Sequence, residues 1–149
     1  MINKFKFFAP FALLGMIVRA AEVGLESYYF SDFLEKNIIT LLIALMAINT
    51  TTIAVILTKL KEIADATGGR FTETKDELKL SVKEQLAFIG ISIVLLIIDN
   101  SRYMDAILPI FSHITPALLM SVLFAALDGL RDTGNSVFVI LDWEEEQDA

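Results

Sequence analysis

Between Ile38 and Thr58 the chain reads IITLLIALMAINTTTIAVILT, without one charged residue. At 1.5 Å per residue such a stretch spans roughly 30 Å as a helix, the thickness of a bilayer's hydrocarbon core. A water-exposed helix of that length carries a polar stripe at the 3.6-residue period. Here the polar residues form only a cluster, Asn49-Thr50-Thr51-Thr52, near the middle. Glu35 and Lys36 precede the stretch, and Lys59 and Lys61 follow it. It is predicted to be a transmembrane helix, and the remaining segments are judged against it.

The 149 residues suffice for one domain, and 55% of them are hydrophobic, gathered in blocks. Together with a mean hydropathy of +0.62, that distribution points to an integral membrane protein. The chain has no cysteine, which excludes disulfides, thiol catalysis and cysteine metal sites. The formal charge of −7 is unevenly spread, with acidic residues at the C-terminus and basic ones between the second and third apolar blocks. So acidic a chain is not expected to bind nucleic acid directly.

Residues 1–8, MINKFKFF, place Lys4 and Lys6 ahead of an apolar run, as a signal peptide does. That run has no small-x-small cleavage site and is interrupted by Arg19, so a retained helix over residues 5–25 is expected. Arg19 and Glu22 lie three apart and face one another on such a helix. Two readings fit them: a pair snorkelling at the interface, or a buried, functional pair. Tyr28, Tyr29, Phe30 and Phe33 suit the headgroup region and close the first hairpin.

Residues 59–83 form the one long polar loop between apolar blocks. Its first part, KLKEIADATGG, continues as a helix and stops at Gly68-Gly69. Beyond it, Phe71, Leu78, Leu80 and Val82 alternate with polar residues as in a hairpin, whereas DELKLSVKEQ is rich in helix formers. Both readings stand for 71–82. The block LAFIGISIVLLII (86–98) is short for a span and is extended to 84–103, with Lys83 at one end and Asp99 and Arg102 at the other. Gly90 and Ser92 are expected to permit close helix contact. The fourth span, 106–127, is expected to bend at Pro109 and Pro116. In the tail, Gly129 and Gly134-Asn135 are taken as breakers, and Val137-Phe138-Val139-Ile140-Leu141 as a strand-like run followed by Trp143 and an acidic end. A bare strand adds to a sheet edge and tryptophan anchors interfaces. Val137, Phe138, Val139, Ile140, Leu141 and Trp143 are thus the expected partner-docking residues, with pairing to the 71–82 segment as the alternative.

Catalytic motifs are missing, and neither enzymatic activity, a cofactor nor a metal is expected. His113 is the only histidine and is read as a polar packing residue of the fourth span, with pH sensing as the alternative. Arg19, Glu22, Asn49, Thr52 and His113 form the expected intramembrane polar set. For Asn49 and Thr52 a pore lining and helix–helix hydrogen bonding are the two readings.

The residues FLEKNIITLLIALMAINTTTIAVILTKLKEI (33–63), with four short spans and cytoplasmic ends, resemble the KwaA family, the membrane component of the bacterial anti-phage system Kiwa. The resemblance implies an inner-membrane homo-oligomer that detects phage attack and works with a cytosolic, DNA-binding partner, KwaB. No functional residue is carried over.

The expected fold is an all-α integral membrane protein. A four-helix transmembrane bundle over 1–130 has spans 5–25, 38–58, 84–103 and 106–127, and residues 131–149 form a cytoplasmic tail. The loop and tail are the place for short strands. With four spans and a cytoplasmic N-terminus, Lys4, Lys6, Lys59, Lys61, Arg70, Lys75, Lys79, Lys83 and Arg131 lie inside, and only Lys36 and Arg102 outside. Both termini are therefore expected to face the cytoplasm of a bacterial inner membrane. Three functions fit: a homo-oligomeric sensor or scaffold that recruits a cytosolic protein, a pore such as a holin or small channel, or an accessory transporter subunit.

Overall fold

A computed structural model describes residues 2–101 and 111–148, with side chains described for 8–101 and 114–138. The described residues form four helices: α1 (Ile2–Gly24), α2 (Tyr29–Thr67), α3 (Thr72–Asp99) and α4 (Phe111–Asp148). No strand occurs among them. α2, α3 and the 114–138 part of α4 are long and apolar enough to cross a membrane.

The buried residues of α2 include Leu34, Ile38, Leu42, Asn49, Ile53, Ile56, Leu60 and Ile63. Their spacings are sums of three and four, the pattern by which nearly parallel helices interlock. Leu34, Ile38 and Leu42 meet Leu95 of α3 and Leu119, Met120, Val122, Leu123 and Ala126 of α4 in the main core. A second cluster at the other end joins Ile53, Ile56 and Leu60 of α2 to Leu78 of α3, with Phe71, Val82 and Val137 packed against it. α4 packs most extensively on α1 and α2, then on α3.

The outside is aliphatic where the inside is in part polar. Leu13, Met16 and Ile17 of α1, Ile43, Ile48 and Val55 of α2, and Leu86, Ile91, Val94 and Ile97 of α3 are exposed, whereas Asn49, Gln85, Ser92 and Ser121 are buried. Only 22% of the apolar window of α2 and 17% of that of α3 is buried, against 56% for α4. A monomer in water rarely shows so broad an apolar surface.

Two connections are built locally. α2 ends at Gly68, whose φ of 70° lets its N–H reach the Ala64 carbonyl, the break read from the sequence. The α1–α2 turn passes through Glu26, left-handed at φ 53°.

One open alternative is decided and one expectation is corrected. The 71–82 segment is the start of α3, the helical one of its two readings, not the hairpin. Its packed residues, Phe71, Leu78 and Val82, lie seven and four apart, a helical face, while Leu80, which creates the alternation, is exposed. The strand-like run Val137–Leu141 is likewise helical backbone, because α4 continues through Gly129 and Gly134 to Asp148. Neither glycine breaks the helix, since each keeps helical geometry at the cost of an alanine's propensity. Pro109 and Arg102 lie outside the described residues.

Candidate functional site

Polar groups in this bundle fall into three sets. The first ties α1 to the start of α2. Arg19 Nη1 donates to Glu22 Oε2 at 3.2 Å and to Ser31 Oγ at 3.0 Å. The Ser31 backbone N–H donates to Glu22 Oε1 at 2.9 Å, and its hydroxyl donates to Glu22 Oε2. The guanidinium lies 5.1 Å from the centre of the Tyr28 ring. Tyr28 is the N-cap of α2 and gives no side-chain cap. Glu22 supplies it from the preceding helix, placing a carboxylate on an unpaired first-turn amide. Arg19 and Glu22 are thus brought together, with Glu22 only 7% exposed, and Ser31 completes a closed network. No sequence signal singles out Ser31, because its role depends on where the turn delivers it.

The second set lies between α2 and α3. Asn49 is fully buried, and its Nδ2 donates to Ser81 Oγ at 3.1 Å, while its Oδ1 has no partner. Thr52, half-buried, donates to the Ile48 carbonyl of its own helix at 3.0 Å. Thr50 and Thr51 do the same to Met46 and Ala47. The threonine hydroxyls are satisfied within α2, and only Asn49 reaches another helix. Gly90 meets nothing, whereas an added Cβ at Gly15 of α1 would collide with the Ala117 carbonyl oxygen and Ser121 Oγ of α4. The close helix approach lies there.

The third set lines a groove of about 810 Å³ between the first half of α3 and the second half of α4, with Phe8 of α1 at its edge. Leu78, Gln85 and Ser92 are buried and seven residues apart, so they return to one face of α3. Gln85 is 4% exposed, and neither its Oε1 nor its Nε2 has a partner. Glu77 and Glu84 of α3 and Asp132 of α4 line the groove as exposed carboxylates. Among the described residues, no lysine or arginine lines it. Arg131 lies 3.5 Å from Asp128 and 3.9 Å from Asp132, and Lys79 pairs with Asp76 at 3.0 Å. Among the described residues, no three histidine, aspartate or glutamate side chains converge as for a metal ion.

Of the expected docking residues, Val137 packs on the second apolar cluster and Phe138 is exposed. The side chains of Val139, Ile140, Leu141 and Trp143 lie outside the described residues, as does that of His113. Strand addition through this run is corrected by its helical backbone, whose N–H and C=O groups are used along the helix. No protein-family model, curated protein or solved structure matches the chain.

Proposed function

We propose that this chain is a bacterial inner-membrane scaffold, whose polar helix ends on the cytoplasmic side recruit a soluble effector in anti-phage defence, as the resemblance to the KwaA family implies. One observation carries the proposal. α2 has 39 residues and α4 has 38, about 58 Å of helix each, against roughly 30 Å of hydrocarbon core. Part of that surplus gathers at one end, where Leu60, Leu78 and Val137 bring the end of α2, the start of α3 and the later part of α4 together. That end carries Lys59, Lys61, Arg70, Lys75, Lys79, Lys83 and Arg131, the bias of cytoplasmic segments. An apolar bundle prolonged into a charged helical platform suits a protein that holds something against the membrane. α1 serves as the fourth span, and homo-oligomerisation covers part of the aliphatic exterior.

Reporter fusions at both ends and purification of the tagged chain from its own host test this. Cytoplasmic reporters at both ends are expected, with a soluble protein that co-purifies with the full chain and not with one lacking residues 139–149, both remaining in the membrane fraction. Periplasmic reporters, or conductance in planar bilayers with no protein retained, would overturn the scaffold and favour the pore.

A further inference from the structure

Gln85 lies in the wall of the α3–α4 groove as an amide that no side chain meets. It is 4% exposed, and neither Oε1 nor Nε2 is engaged. One turn earlier, Ser81 shares its face of α3 and lines the same groove. Ser81 Oγ accepts from Asn49 Nδ2 at 3.1 Å. Asn49 Oδ1, buried behind Ser81, is unused as well. An amide buried without partners costs about 1–3 kcal/mol, a cost that water removes where it can reach.

The groove gives water a route. Its volume of about 810 Å³ is many times the roughly 30 Å³ that one water occupies. From Thr74 to Gln85 it follows α3 for about 16 Å. Thr74, Ser81, Thr133 and Ser136 place hydroxyls along it, groups that water hydrogen-bonds and a lipid chain does not. Its Thr74 end lies beside Lys75 and Lys79, well before the apolar block 86–98. Past Gln85 the way closes, because Phe88 and Ile89 pack on the main core with Leu42 and Leu95. Ser92, two turns further along α3, is fully buried with its Oγ unpartnered. A serine hydroxyl can turn to a carbonyl of its own helix and needs no water there.

We propose that this groove is a water-filled crevice, closed at the main core, that carries exchangeable solvent from the polar end of the bundle to Gln85 and Asn49. Solvent then reaches the middle of the uncharged stretch of α2, where Asn49 lies, without crossing the bundle. The same water wets Leu78 and Phe88, so Gln85→Leu would let the walls close on one another. The crevice rests on the chain lying in a membrane and not on effector recruitment.

The chain has no cysteine, so single cysteines report without background. Q85C and S81C, in unsealed membrane fragments, are treated with methanethiosulfonate ethyltrimethylammonium, and modification is followed by mass spectrometry. The thiolate is the reacting form, and apolar surroundings suppress it. Both variants are expected to react at least about tenfold faster than I91C and V94C, at exposed aliphatic positions of α3, and than S92C. Gly129 lines the groove, and an added Cβ there meets nothing within 4 Å. G129L should therefore fill the crevice and slow Q85C to the rate of S92C. Circular dichroism checks that each variant is folded. Folded Q85C and S81C that react no faster than S92C would overturn the proposal by showing a dry groove. Fast modification of S92C would overturn the closed end, and an unchanged rate in Q85C/G129L would overturn the route. Fast I91C and V94C would instead overturn the membrane reading on which the crevice rests.

Discussion

Glu22 and Gln85 are buried to a similar degree, 7% and 4% exposed, yet their surroundings are opposite. Both oxygens of the Glu22 carboxylate are engaged, by Arg19, by the Ser31 hydroxyl and by the Ser31 amide. Gln85 has no partner at either amide atom. Burying a polar group is tolerable when its lone pairs and protons are satisfied and costly when they are not. The first network is therefore structural: it fixes the α1–α2 turn and caps α2. The second group lines a groove with its hydrogen-bonding capacity unspent. Burial alone does not separate a fastening from a site; the partners do.

The sharpest way to break this contrast is to remove Glu22. Glu22→Leu leaves the Arg19 guanidinium uncompensated and the first turn of α2 uncapped, and should cost about 3–4 kcal/mol. Unfolding in mixed micelles measures it. Replacing both partners, R19M with E22L, should recover part of the loss, because no charge is then left alone. A double variant worse than E22L by the full cost of Arg19 removal would mean that the two residues act independently.

Gly15 tests the packing on which both regions depend. Any Cβ there meets the Ala117 carbonyl and Ser121 Oγ, and lies 3.1 Å from the Ser121 nitrogen. Gly15→Ala is expected to push α1 off α4 and destabilise by about 2 kcal/mol. The same change at Gly90, where nothing lies within 4 Å, serves as the control and should not destabilise.

Gln85 should respond with the opposite sign to Glu22. Gln85→Leu removes two unpartnered amide atoms and extends the apolar wall, stabilising the chain by about 1 kcal/mol. A loss of stability instead would show that Gln85 has a structural partner in solution.

The aliphatic bulk of the helices was readable in the sequence because burial in a long apolar helix follows composition and the 3.6-residue period. The uncharged Ile38–Thr58 stretch lies inside α2, and Gly68 ends that helix by a local left-handed turn that no distant contact is needed to explain. What the sequence left open or misread depended on which of several apolar residues pack. Phe71, Leu78 and Val82 fit a helix, and counting Leu80 with them suggests a strand. Val137 is drawn into the cluster around Leu60 by contacts from more than 70 positions earlier in the chain. Gly15 and Gln85 gave no signal for the same reason: a glycine's close approach and a glutamine's lack of partners are facts about other helices. Arg19 and Glu22 were visible as a pair at helical spacing, but Ser31, which turns the pair into a cap, was not.

The smallest effect concerns the continuity of α4, on which the groove's second wall depends. Gly134-Asn135 reads as a break in sequence, yet α4 passes through it, and an added Cβ at Gly134 meets nothing within 4 Å. In a continuous helix Gly134→Ala gains helical propensity without a steric cost and should stabilise by about 0.5–1 kcal/mol. In a broken one, alanine would be neutral or strained, because a Cβ disfavours the left-handed backbone that glycine adopts freely. Circular dichroism should show helix content unchanged or slightly raised, and the unfolding midpoint should rise. A fall in stability at Gly134 would place a turn in α4 and return residues 135–148 to the separate tail that the sequence suggests.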